Sequence, residues 1–163
     1  MPDLISADKE WLKLFMLAGE PIMSDCCSTS CTTQPPLKKL PCPVNGDSYK
    51  TVPLKTILHH IQQPWAWAGK DQAYYFCDDP DCDVVYFGAD GTTISRSALR
   101  TTVGIKDRSA HATLCYCFGV SRAQAKANPE ILAYVTEQTK HKMCDCETRN
   151  PSARCCLKDF PAQ

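Results

Sequence analysis

The sequence predicts an α+β fold, a small β-rich unit followed by a mainly helical one. Two aromatic and β-branched runs, Tyr74-Tyr75-Phe76 and Val84-Val85-Tyr86-Phe87, flank a loop bounded by Cys77 and Cys82, and such runs favour strands. Downstream, helix-start chemistry recurs at Ser121 and at Asn128-Pro129-Glu130, where a capping side chain or a proline can open a helix. The third observation is cysteine, 12 in 163 residues, about three or four times the ordinary share. By composition the chain divides into residues 1–39, an N-terminal helix with a Cys-rich flexible linker, then residues 40–100, an α+β unit, and residues 101–163, a helical unit.

In chain order, Trp11, Leu14, Phe15 and Ala18 fall at helical spacing within residues 1–22, which predicts a short amphipathic packing helix. Leu12, Met16 and Leu17 widen its apolar face and Lys13 faces away. The stretch from Ser24 to Pro36 is small, polar and proline-ended, as linkers are, yet it carries Cys26, Cys27 and Cys31. Pro53 suits the first turn of a helix, and Leu54, Ile57, Leu58 and Ile61 then make one apolar stripe. Asp90-Gly91 offers a tight turn into Thr92-Thr93-Ile94. Trp65-Ala66-Trp67 is read as packing for this unit. From about Ser95 onward the chain reads as helices between cysteine-bearing loops.

A formal net charge of zero gives no reason to expect nucleic acid, which wants a basic surface. The opening ten residues are acidic and mixed rather than basic-then-apolar, so no secretory signal is read. The apolar piece from Trp11 to Ala18 is interrupted by Lys13 and is too short to span a membrane. A cytoplasmic protein is therefore expected, its cysteines serving metals rather than disulfides.

The C-terminal thiols form three close groups: Cys115-Tyr116-Cys117, Cys144-Asp145-Cys146 and Cys155-Cys156. A [2Fe–2S] centre commonly takes four thiolates, and a C-x-C pair can supply two. With two ferric ions and two sulfides, four thiolates leave the centre anionic, so cations and backbone N–H groups are expected nearby. Arg149, Arg154, Lys140, Lys142 and Lys158 lie close in sequence. Spacing alone does not separate such a cluster from a zinc site. His59 and His60 sit side by side on the expected helix and point to different faces, which makes at least one of them solvated. His111 and His141 lie near the cysteines and are expected at the surface.

Cys115-Tyr116-Cys117-Phe118, followed by the run from Cys146 through Asn150-Pro151-Ser152-Ala153-Arg154 to Cys155-Cys156, resembles the N-terminal domain of CopZ-type copper chaperones. Its cluster-binding part is similar to bacterioferritin-associated ferredoxin. The resemblance implies [2Fe–2S] ligands Cys115, Cys117, Cys146 and Cys156, with Cys144 and Cys155 spare. The segment from Cys77 to Phe87 likewise resembles that family's zinc-binding strand–loop–strand. The family's other half is a C-P-x-C knuckle, and this chain has Cys42-Pro43-Val44-Asn45. Zinc at Cys42, Cys77 and Cys82 is thus implied with a fourth ligand missing, since structural zinc is normally four-coordinate. A tail thiol, His59 or His60, a carboxylate or water are the candidates.

The resemblance covers roughly Leu40 to Leu157. It implies an iron–sulfur metallochaperone-like protein that binds, and reduces, soft metal ions such as copper. An electron from the cluster would take Cu(II) to Cu(I), which prefers thiolates, and Cys26, Cys27 and Cys31 are the candidates to hold it. Implied partners are metal ions and a copper-transporting ATPase or a redox partner. No M-x-C-x-x-C loop, the usual copper carrier, occurs in these residues. An alternative reading is accordingly a [2Fe–2S] electron-transfer protein serving a partner without metal cargo; a third is a zinc module for protein contacts. No phosphate-binding glycine loop or nucleophile–base motif is found, so no enzyme activity is expected.

Overall fold

A computed structural model of the chain describes residues 37–161. The helix expected over residues 1–22 and the thiols Cys26, Cys27 and Cys31 lie outside these residues. Strands β1 (Lys39–Pro41), β2 (Ser48–Val52), β3 (Tyr74–Phe76), β4 (Val84–Gly88) and β5 (Thr93–Ser95) form one antiparallel sheet in chain order. Helix α1 (Leu54–His60) connects β2 to β3. Strand β1, paired through Leu40 and Tyr49, crosses the 39/40 boundary drawn from composition. Its polar Lys38-Lys39 start resembles the linker before it.

Strand alternation splits the sheet's side chains into two clusters. Tyr74 and Phe76 join Val52, Ile57, Ile61, Val85, Tyr86, Ile94, Leu99 and Val103 on the α1 side. Tyr75 and Cys77 join Cys42, Tyr49, Cys82, Val84 and Phe87 in the second cluster. A register shift between Val84 and Tyr86 lets Val85 and Tyr86 serve the same cluster, because a bulge re-aims successive side chains.

The α1 stripe differs from the expected one. Ile57 and Ile61 are buried, but Leu54 is 46% exposed and Leu58 is 37% exposed. Thr56 and His60 take the inner positions. The helix is turned that way because Thr56 Oγ1 donates to the Glu147 carbonyl at 2.5 Å and His60 Nδ1 meets Thr101 Oγ1 at 2.9 Å. Trp67 packs at 5.5 Å from the Tyr74 ring. Trp65, expected to pack too, is 81% exposed.

The C-terminal half begins with a two-stranded ribbon, β6 (Thr113–Cys115) and β7 (Val120–Ser121), that the helical reading missed. Strands of three and two residues are too short to show a period. Helices α2 (Arg122–Ala127), α3 (Glu130–Lys140) and α4 (Cys146–Arg149) follow. Ser121 caps α2 with a reciprocal Gln124 box, and Asn128 Oδ1 accepts the Glu130 N–H at 2.9 Å at the start of α3. Val120, Ala125 and Val135 pack with Cys115 and Cys156. This half docks on the α1 side of the sheet: the Tyr86 hydroxyl donates to the Pro151 carbonyl at 2.9 Å, and Ala153 packs against that core. Among the described residues no helix is long and apolar enough to cross a membrane.

Candidate metal centres

Three strand ends converge on the first site. Cys42 follows β1, Cys77 follows β3, and Cys82 lies just before β4. A tight turn after Cys42 sets the knuckle: Gly46 N–H donates to the Cys42 carbonyl at 2.9 Å and Cys42 N–H to the Asp47 carbonyl at 2.8 Å. Gly46 takes φ +80°, a conformation glycine adopts without strain. The three Sγ atoms lie within 4.8 Å of one another and all three residues are buried. Convergent buried thiols suit a thiophilic ion such as zinc, so this donor set fits it.

Donors crowd around Cys77. Its sulfur accepts hydrogen bonds from the Asp79 N–H and the Tyr49 hydroxyl, and Asn45 Nδ2 and Lys106 Nζ each lie 3.8 Å away. Burial nevertheless pushes the thiol up to about 11. A bound cation would reverse that direction by stabilising the thiolate.

The second set is arranged in pairs. Cys117 Sγ and Cys146 Sγ are 3.7 Å apart. The interaction between the Cys115 and Cys156 thiols holds Cys115 below the usual thiol range and, with burial, pushes Cys156 up. Burial and the neighbouring Cys117 raise Cys146. Backbone N–H groups of Cys117 and Phe118 point at Cys115, and that of Asp145 at Cys117. Two pairs of thiols match the two irons of a [2Fe–2S] cluster, each of which takes two protein ligands, so the donors fit that group. Cys155 is exposed and Cys144 half-buried.

The loops that bring these thiols together are pinned by polar side chains. Asn150 Oδ1 accepts from Ser152 N–H at 3.0 Å and Ser152 Oγ at 2.9 Å, while its Nδ2 donates to the Arg154 carbonyl at 2.8 Å. This staple turns the chain so that Cys156 returns to β6. The Tyr116 hydroxyl donates to the Thr102 carbonyl at 3.1 Å and accepts the Gly104 N–H at 2.6 Å. Position 104 must be glycine, because a Cβ there would overlap the Thr113 carbonyl.

Of the other expected residues, His59, His111 and His141 are exposed, His141 meeting Glu137 at 3.0 Å. His60 is buried and neither it nor His59 joins the three thiols. Arg154 reaches Asp78 at 2.9 Å, beside Cys77 rather than over the second set. Lys140 pairs with Glu137 at 3.2 Å, and Arg149, Lys142 and Lys158 are exposed. The groups that face the second set of sulfurs are therefore chiefly backbone N–H groups. Lys106 and Tyr49 escaped sequence reasoning, and Tyr116 entered it only as part of the C-Y-C motif. For Lys106 no signal existed, since lysines are rarely buried; Asn150 was visible only within the motif.

A sheet with three converging thiols, followed by a half carrying two thiol pairs, defines a metal-binding protein built like the N-terminal domain of CopZ-type copper chaperones. Residues 39–100 match the CopZ-type family model described as a zinc binding domain. The particular relatives come from Archaeoglobus fulgidus. Its copper chaperone CopZ is 32% identical over 121 residues, 71% of this chain and 57% of that protein. The chain thus spans little more than half of that relative's length. The X-ray structure of the Archaeoglobus fulgidus CopZ N-terminal domain superposes with a TM-score of 0.62 at 28% identity, over 76% of this chain and 100% of that one.

Proposed function

We propose that this chain is an iron–sulfur metallochaperone-like protein, holding zinc at Cys42, Cys77 and Cys82 and a [2Fe–2S] cluster at Cys115, Cys117, Cys146 and Cys156. The observation that carries the reading is the pairing of the second set, Cys117 with Cys146 and Cys115 with Cys156. When bound, the cluster supplies a one-electron couple. The chain's own residues place the thiols: the Asn150 staple turns the Cys155-Cys156 loop back, Tyr116 fixes the C-Y-C loop, and backbone N–H groups offset sulfur charge. The cargo is a soft ion such as copper, in keeping with the name of the archaeal relative, taken as Cu(I) by Cys26, Cys27 and Cys31. A copper-transporting ATPase or a redox protein would be the partner, and the cytoplasm the site of action.

A second reading is a [2Fe–2S] electron carrier without cargo. What favours it is that, among the described residues, the buried thiols all belong to the two sets already assigned. Metal analysis and visible absorption of anaerobically purified protein test the common core. Red-brown colour bleached by dithionite, with about two irons and about one zinc per chain, is expected. A colourless protein carrying only zinc after reconstitution would leave a zinc-binding interaction module. Replacing Cys26, Cys27 and Cys31 together by serine should abolish tight Cu(I) binding, and unchanged affinity would exclude the tail and favour the carrier.

A further inference from the structure

We infer that Cys42, Cys77 and Cys82 hold a divalent thiophilic ion as a three-thiolate site, with the fourth coordination position left to an exchangeable small neutral donor such as water and with Lys106 as the charge partner. This rests on the zinc reading above and goes beyond it by specifying an open rather than a closed site.

Asn45 stands where the knuckle pattern has its second thiolate, and its amide orientation is fixed by its neighbours. Oδ1 accepts the Asp47 N–H at 3.1 Å, a group that only donates. Nδ2 reaches the Asp79 carboxylate at 2.8 Å and the Tyr49 hydroxyl at 2.7 Å, and a carboxylate only accepts. The nitrogen therefore faces Cys77, and an amide nitrogen has no lone pair to give a metal. Asn45 commits both of its N–H donors to Asp79 and Tyr49 and is not a ligand. Among the described residues, no further histidine, carboxylate or thiol joins the three Sγ atoms within 4.8 Å.

Lys106 supplies the second observation. It is 5% exposed and sits at the end of a 3-10 turn (Gly104–Lys106). Its Nζ meets the Asp79 carbonyl at 2.7 Å, the Cys82 carbonyl at 3.0 Å and Cys77 Sγ at 3.8 Å. Three acceptors match the three donors of an ammonium. Among the described residues Lys106 takes part in no ion pair with a carboxylate. A buried cation needs an anion beside it; the Cys77 sulfur is the anion that Lys106 Nζ touches, while the Asp79 carboxylate, held by Asn45, also acts on it through space. A divalent ion with three thiolates carries one net negative charge, which Lys106 cancels. A fourth thiolate, or a monovalent ion with three, would leave one negative charge uncompensated. The surroundings are thus matched to a divalent ion with a neutral fourth donor, the open arrangement that distinguishes exchangeable from closed zinc sites.

Zinc-edge X-ray absorption on the full-length zinc-loaded chain reads the ligand set directly. Three sulfur neighbours and one oxygen or nitrogen, the latter altered by added imidazole, are expected. Four sulfurs would overturn the open position while leaving the zinc reading intact. A chain that takes up no zinc would overturn both. Asn45→Cys should convert the site to four sulfurs, and failure to do so in a folded, zinc-loaded variant would show that position 45 does not face the open side. Lys106→Met should weaken zinc binding about 10- to 100-fold in chelator competition, as changes beside metal ligands do, while Lys106→Arg retains it. Equal affinity in all three proteins would remove Lys106 from the site.

Discussion

The two sets of thiols are built differently. Cys42, Cys77 and Cys82 sit at strand ends with 2%, 0% and 6% of their surface exposed, and a buried lysine, a tyrosine and an asparagine close around them. The second set hangs from the β6–β7 loop, α4 and a stapled loop. Cys115 and Cys156 are buried there, while Cys117 and Cys146 remain half-buried, and the facing groups are backbone N–H. A sheet end is rigid and compact, as one small ion requires. Paired thiols with one partly open side suit a larger anionic group that exchanges electrons with its surroundings.

That contrast is broken most severely by removing one thiol from each region. Cys115→Ser should lose the iron and the visible absorption entirely while keeping zinc. Cys77→Ser should keep the iron but bind zinc more weakly by well over the roughly 10- to 100-fold that peripheral changes cost. Metal analysis of both variants is the check. Loss of both metals from either one would mean that the two sites assemble as a unit.

A smaller effect separates the regions by acid. Burial, with repulsion from His59 and Arg100, lowers His60 from 6.5 to about 4, so the folded protein keeps it neutral where the unfolded chain takes up a proton. Stability is then undiminished above pH 6.5 and falls as pH drops toward 4, by about 3 kcal/mol. His60 lies on the sheet face that receives the C-terminal half, through Thr56 and α4. Urea unfolding from pH 7 to 4 should show a shallower pH dependence in His60→Gln than in the wild type. Parallel curves would place the acid sensitivity elsewhere.

The same contrast governs what could be read in advance. The sheet was legible because Tyr74-Tyr75-Phe76 and Val84-Val85-Tyr86-Phe87 combine β-branched and aromatic residues between cysteines, and α2 and α3 because Ser121 and Asn128 carry capping chemistry. The rest depends on tertiary choice. Leu54 and Leu58 lost the inner face of α1 to Thr56 and His60, whose polar atoms find partners on residues 41 to 91 positions away. No local pattern encodes that. The three thiols of the first site were visible as spacing, whereas Lys106, some 24 residues beyond Cys82, reaches them only through the fold.

Tyr86 offers the subtlest separation of the two regions. It has no exposed surface, and burial holds its hydroxyl well above the usual phenol range, so it stays a donor at any working pH. Its partner is the carbonyl of Pro151, within the stapled loop before Cys156. Tyr86→Phe keeps the ring and strands that carbonyl without a partner, a loss of about 1–3 kcal/mol. If the hydroxyl anchors the loop rather than the sheet, the cost falls on one region: iron should be released faster to a chelator while zinc release is unchanged. Equal acceleration of both would show that sheet and loop open together, and that the two thiol sets share one unfolding unit despite their different construction.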